Sequence, residues 1–175
     1  LAAACEREAI EALDRGDRLR GEGLREASLD AYRLAVEKKG NFVEALIVLA
    51  AMLIEEELAG EAVEVLQRLV ALDEHAHQSH NYLGMARHRS GDRAGARASF
   101  EHAYRLKPDS VETLINLSVF EWEEGQVEAA VSYLEQAAKF EPDNRDVIVN
   151  TAVIQVQTGN VEQGMRLLDE HVAAN

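Results

Sequence analysis

The stretch "NYLGMARHRSGDRAGARASFEHAYRLKPDS" (residues 81–110) reads as two helix-like segments joined at Gly91-Asp92 and stopped by Pro108-Asp109. Gly84, Ala96 and Ala103 stand where a helix face normally carries bulk. The closing "LKPDS" (106–110) returns as "FEPDN" (140–144), which places Pro142 34 residues after Pro108. The same offset aligns Gly91 with Gly125 and Gly159, Ala96 with Ala62 and Ala130, and Leu83 with Leu49 and Leu117. Phe100 falls on Tyr32, Leu66, Leu134 and Leu168. A fixed period of this length marks an array of stacked units. It divides the chain, read as a single domain over 1–175, into repeats 9–42, 43–76, 77–110, 111–144 and 145–175.

Each repeat reads as two helices. In the fourth, Asp109-Ser110 caps a helix over about 111–124, Gly125 breaks it, and a second helix over 126–140 ends before Pro142. Gly91-Asp92 and Gly159-Asn160 repeat the break, a left-handed residue followed by an N-cap. The second repeat departs from this pattern, with Glu57 in the glycine column and Gly60 three residues later. Small residues such as Gly84 and Ala96 mark where two antiparallel helices cross closely. No alternating strand pattern occurs, and aromatics make up 5% of the chain, so the reading is all-α.

The pattern resembles the tetratricopeptide repeat family, in which a bulky residue is followed by Leu-Gly, Ala, an aromatic, Ala and Pro. The third repeat carries His80, Leu83, Gly84, Ala96, Phe100, Ala103 and Pro108. The fourth carries Leu114, Leu117, Ser118, Ala130, Leu134, Ala137 and Pro142. His80 and Arg87 stand where aromatics are common, and Glu74 and Gly40 replace the proline. The resemblance implies a right-handed α-solenoid of five tetratricopeptide-like helix-turn-helix repeats. It also implies a non-catalytic scaffold whose first helices line a concave groove for a partner peptide or helix.

In that groove the side opposite Leu46, Leu49, Leu114 and Leu117 faces the ligand. Its expected floor includes Ile47, Ala51, Met85, Ile115, Val119, Val149 and Val153, with Asn81 in the same strip. Acids stand at one edge (Glu44, Glu112, Asp146) and at the other (Glu55, Glu123). Asn116 and Asn150 share a column and offer an amide ladder for an extended backbone; the alternative is that each amide bonds within its own array. The expected partner is a protein or peptide, apolar along one stripe and basic at its edges. The columns that carry the cations of the family's terminal-carboxylate clamp hold Leu13, Gln78 and Tyr82, so no such clamp is expected, and the acidic edges argue against an anionic ligand. Other readings are a self-association module, with Met165 and Leu168 of the last helix (about 160–173) against a second chain, and an accessory domain of a larger enzyme such as a glycosyltransferase.

Composition narrows the rest. A net charge of -14 repels nucleic acid and anionic membranes. The longest apolar run, "ALIVLAAMLI" (45–54), is about half a bilayer span, so no membrane insertion is expected; it reads instead as a helix buried on all sides. Cys5 is the single cysteine, so no intrachain disulfide can form. His75, His77 and His80 raise a metal reading with Asp73 or Glu74, set against His80 occupying a packing column. No nucleophile or phosphate-loop motif occurs, so neither cofactor, metal nor catalysis is expected. The chain begins with Leu1 rather than Met, which points to a segment of a longer protein.

Overall fold

The computed structural model describes residues 2–174. Among these are ten helices and no strand: α1 (Ala2–Gly21), α2 (Arg25–Lys38), α3 (Val43–Glu55), α4 (Ala59–Leu72), α5 (His77–Arg89), α6 (Arg93–Leu106), α7 (Val111–Glu123), α8 (Val127–Phe140), α9 (Arg145–Gln157) and α10 (Val161–Ala174). Odd-numbered helices are the first of each repeat and even-numbered helices the second, in the register the sequence predicts. Contacts divide the chain into two compact units, Leu1–Ala96 and Arg97–Asn175.

Two columns of small residues decide how the helices pair. Gly16, Ala50, Gly84, Ser118 and Ala152 on the first helices are all buried, as are Ser28, Ala62, Ala96, Ala130 and Gly164 on the second. Where they meet, the Ser28 hydroxyl donates to the Gly16 carbonyl at 2.9 Å. A Cβ at Gly164 would lie 2.8 Å from the Ala152 carbonyl oxygen and 2.7 Å from a Val156 methyl. Helices this close lose packing energy to any added methylene. Ala130 is fully buried, so Ala130→Leu should cost about 1–3 kcal/mol, read as a lowered thermal midpoint. A neutral melt would show that this crossing is not tight.

In the first unit Leu46, Leu49, Met52 and Leu53 of α3 pack with Tyr32 of α2 and Leu66 and Leu69 of α4. In the second, Leu114, Leu134, Ala137, Val147 and Ile154 form the core. The run at 45–54 is not buried on all sides, contrary to the reading from sequence alone. Ile47 is 51% exposed and Ala51 is also exposed. A first helix packs on its own second helix and on its neighbours, and one stripe has no partner.

Turns follow local chemistry. Gly23, Gly91, Gly125 and Gly159 all take positive φ, and Glu57 joins them at φ 60, the one such non-glycine among the described residues. The second repeat therefore makes the same turn with the wrong residue for it. Left-handed backbone costs an L-residue about 1–2 kcal/mol, partly offset by the greater freedom glycine has when unfolded. Glu57→Gly should accordingly gain about 0.5–1 kcal/mol, raising the melting temperature by a few degrees. An unchanged or lower midpoint would count against strain at this turn. Asp92 Oδ1 accepts from Gly95 N at 2.9 Å, and Asn144 Oδ1 accepts from the amides of Asp146 and Val147, so both serve as caps.

His80 is a packing residue. It is 7% exposed, and its Nε2 lies 3.0 Å from the Glu74 carbonyl, tying α5 to the turn before it. Among the described residues no group of three His, Cys, Asp or Glu side chains could hold a metal ion, and no helix is long and apolar enough to cross a membrane.

Candidate partner-binding site

The first unit carries an open apolar cleft of about 340 Å³ on its first-helix face. Ile47, Ala50, Ala51 and Ile54 of α3 form one wall, Leu66 and Leu69 of α4 the base, and Gln78, Ser79 and Tyr82 of α5 the other wall. The sequence periodicity places Ile47, Ala51 and Ile54 on one stripe of α3, and they do line one surface. Met85 is half-buried on α5. Asn81 departs from its expected place: at 1% exposure it lies inside the fold and cannot be groove floor. Its neighbour Tyr82, 37% exposed, takes the surface position.

The charge at this cleft is also more even than the sequence suggests. Glu44 is exposed and has no ion-pair partner among the described residues. Glu55 on the cleft wall pairs with Arg20 at 2.8 Å, and Arg89 donates to the Ile54 carbonyl at 2.8 Å. The far edge of the first unit is therefore not simply acidic, because α1 and α5 each bring an arginine to it.

In the second unit Ile115, Asn116 and Val119 of α7 are half-buried, as are Val149 and Asn150 of α9. Val153 is 41% exposed, and Glu112 and Asp146 stand exposed. Asn150 Nδ2 donates to the Asp146 carbonyl at 2.7 Å, an i−4 bond inside its own helix. That bond uses one of the two amide N–H donors and leaves the other, with the acceptor oxygen, for a ligand. On α10, Met165 is 49% exposed and Leu168 half-buried.

Side-chain pairing across helices supplies what periodicity does not reveal. Arg33 of α2 holds Glu61 of α4 through two bonds (2.8 and 2.6 Å), and these hold its guanidinium above its ordinary pKa. In the second unit Arg97 of α6 pairs with Glu121 of α7 in the same two-pronged way, and its pKa too is raised by that bond. These pairs join successive repeats rather than line a site.

No curated protein matches the chain in sequence. Among solved structures, it is similar to MamA from Desulfovibrio magneticus RS-1 at 14% identity and a TM-score of 0.78, over 95% of this chain and 94% of that one. A thermophilic TPR protein of Thermus thermophilus, TTC0263, matches at 19% identity and a TM-score of 0.76, over 94% and 90%. YrrB, described as a TPR protein with an unusual peptide-binding site, matches at 18% and 0.66, over 94% and 85%. At these identities the likeness is one of fold. Models described as tetratricopeptide repeat match residues 53–111 and 121–175, together well over half of the chain. With the 34-residue register and the two columns of buried small residues, this makes the chain a member of the tetratricopeptide repeat family.

Proposed function

We propose that the chain is a non-catalytic protein-interaction module whose first-helix face receives a segment of a partner protein. The observation that carries this reading is the cleft of about 340 Å³ in the first unit, apolar at its base and open to solvent. Exposed apolar surface of this kind marks interaction sites more often than chance. Ile47 and Tyr82 present an aliphatic and an aromatic side chain on opposite walls, a setting for one large apolar side chain of the partner. Glu44 beside it, and Glu112 and Asp146 in the second unit, favour lysine or arginine flanking that anchor. Such edge charges act chiefly on association rate and salt sensitivity. YrrB, with its stated peptide-binding site, offers a parallel at the level of fold.

The test is selection of displayed random peptides against the whole chain. Enriched sequences should pair one large apolar residue with basic neighbours and should bind more slowly to Glu44→Lys at low salt. Enrichment of acidic peptides, or of none, would sink this reading. A second reading, self-association, is favoured by Val161 and Met165, both about half exposed on α10. Sedimentation over a range of concentrations decides it: a constant monomer mass removes it.

A further inference from the structure

Within the second unit the 34-residue register allows one inter-repeat contact to be compared with the next. Between α6 and α7, Arg97 forks onto the Glu121 carboxylate, with Nη2 donating to Oε2 at 3.0 Å. Its guanidinium also lies 5.0 Å from the centre of the Phe120 ring. Tyr104, one turn from Phe100 on α6, packs edge-on against Tyr133 at 5.9 Å between ring centres.

One repeat later the corresponding positions hold Val131 for Arg97, Ile154 for Phe120, Ala138 for Tyr104 and Gln155 for Glu121. Three of these four are smaller than their counterparts. They wall an open cleft of about 160 Å³ between α8 and α9, together with Thr151 and Glu135. Glu135 is the counterpart of Glu101, which with Glu121 favours the charged form of Arg97. The Gln155 Oε1 atom is buried and accepts no hydrogen bond from any of the described residues. An acceptor left dry in this way is costly, and a donor that reaches it recovers the loss.

We propose that the α8–α9 cleft is a docking site for an arginine side chain of a partner protein. A turn of the Gln155 side chain brings its Oε1 to the cleft, where the guanidinium donates to it beside the Glu135 carboxylate, while the aliphatic stem lies on Val131 and Ile154. The chain supplies its own precedent, since an arginine fills the equivalent place one repeat earlier. A planar fork of five donors on an apolar stem suits a wall of two aliphatic side chains ending in an amide oxygen and a carboxylate. The net charge of -14 draws a cationic segment toward it. This site is independent of the first-helix groove. Thr151, Ile154 and Gln155 follow one side of α9, whereas Asp146, Asn150 and Val153 follow another.

The test is an NMR titration of the whole chain with acetyl-Gly-Arg-Gly-amide and with its citrulline twin. The Val131 methyls and the Gln155 side-chain amide are the reporters. Saturable shifts at these groups are expected with arginine, and binding about tenfold weaker with the neutral twin. Val131→Arg should fill the cleft from within and abolish the response, and Glu135→Gln should weaken the arginine peptide alone. Because the two peptides are compared on the unaltered chain, the outcome does not depend on how a variant folds. No saturable shift at millimolar peptide, or equal binding of both peptides, overturns the proposal. Shifts of the same groups that depend on protein concentration without peptide would assign the site to a second copy of the chain and overturn a foreign partner.

Discussion

Replacing Arg97 by methionine should lower the stability of the chain by about 3 kcal/mol, read in urea or thermal unfolding. The Glu121 side chain is 5% exposed, and the Arg97 guanidinium grips both of its oxygens. Methionine keeps an apolar stem against Phe120, so the packing loss is small and the charge loss dominates. Removing one partner of a buried pair leaves the other charge without compensation, which costs about 3–5 kcal/mol when both are dry. Arg97 is itself 38% exposed, so water can follow the vacated path and the lower end of that range applies. The opposite change should be milder. Glu121→Gln leaves a guanidinium that can turn to solvent and an amide that still accepts one bond, at a cost of about 1 kcal/mol. The order of the two effects is the informative result. If Glu121→Gln proves the worse variant, the pair is held together by something other than burial of the carboxylate.

The contrast between Arg97–Glu121 and the small residues at the helix crossings shows what the sequence could carry. Gly84, Ala96 and Ala130 recur at a fixed offset because every repeat must solve the same packing problem, so the repetition itself announces them. The turn glycines were legible for the same reason, and Glu57 shows the limit. Its column predicts a left-handed residue, and the backbone obeys the column although the side chain does not favour it. Arg97 and Glu121, 24 residues apart on successive repeats, occur once. A feature without repetition gives no periodic signal, and neither residue announces which of many arginines and glutamates it will meet. The cleft between α8 and α9 is harder still, since it arises from what Val131, Ala138 and Ile154 lack. Asn81 fails differently. A helical wheel gives its angle around α5, but only the neighbouring helices decide whether that angle faces solvent, and they bury it. The same holds for Ile47 in the opposite sense: an apolar run read as wholly buried turns out to leave one stripe open.

That stripe carries the second large expected effect. Ile47→Asp should weaken a peptide selected for the first-unit cleft by about a thousandfold while leaving the helical circular dichroism spectrum unchanged. Burying an aliphatic side chain against a partner contributes about 1.5–3 kcal/mol, and this contact would be lost. An aspartate in its place must shed water against an apolar anchor without a compensating bond, which costs about 2 kcal/mol more. Together these amount to about 4 kcal/mol, or three decades in Kd. The loss should lie in the dissociation rate, because the contact forms only after docking. The fold should tolerate the change. Ile47 is 51% exposed, and surface substitutions of this kind stay within about 1 kcal/mol. Ala51 and Tyr82 flank it on the cleft walls, so Tyr82→Ala offers an independent weakening of the same site by removal of a wall rather than addition of a charge. If Ile47→Asp binds as tightly as the unaltered chain, the partner segment lies elsewhere on the molecule and the cleft is a packing defect of the second and third repeats.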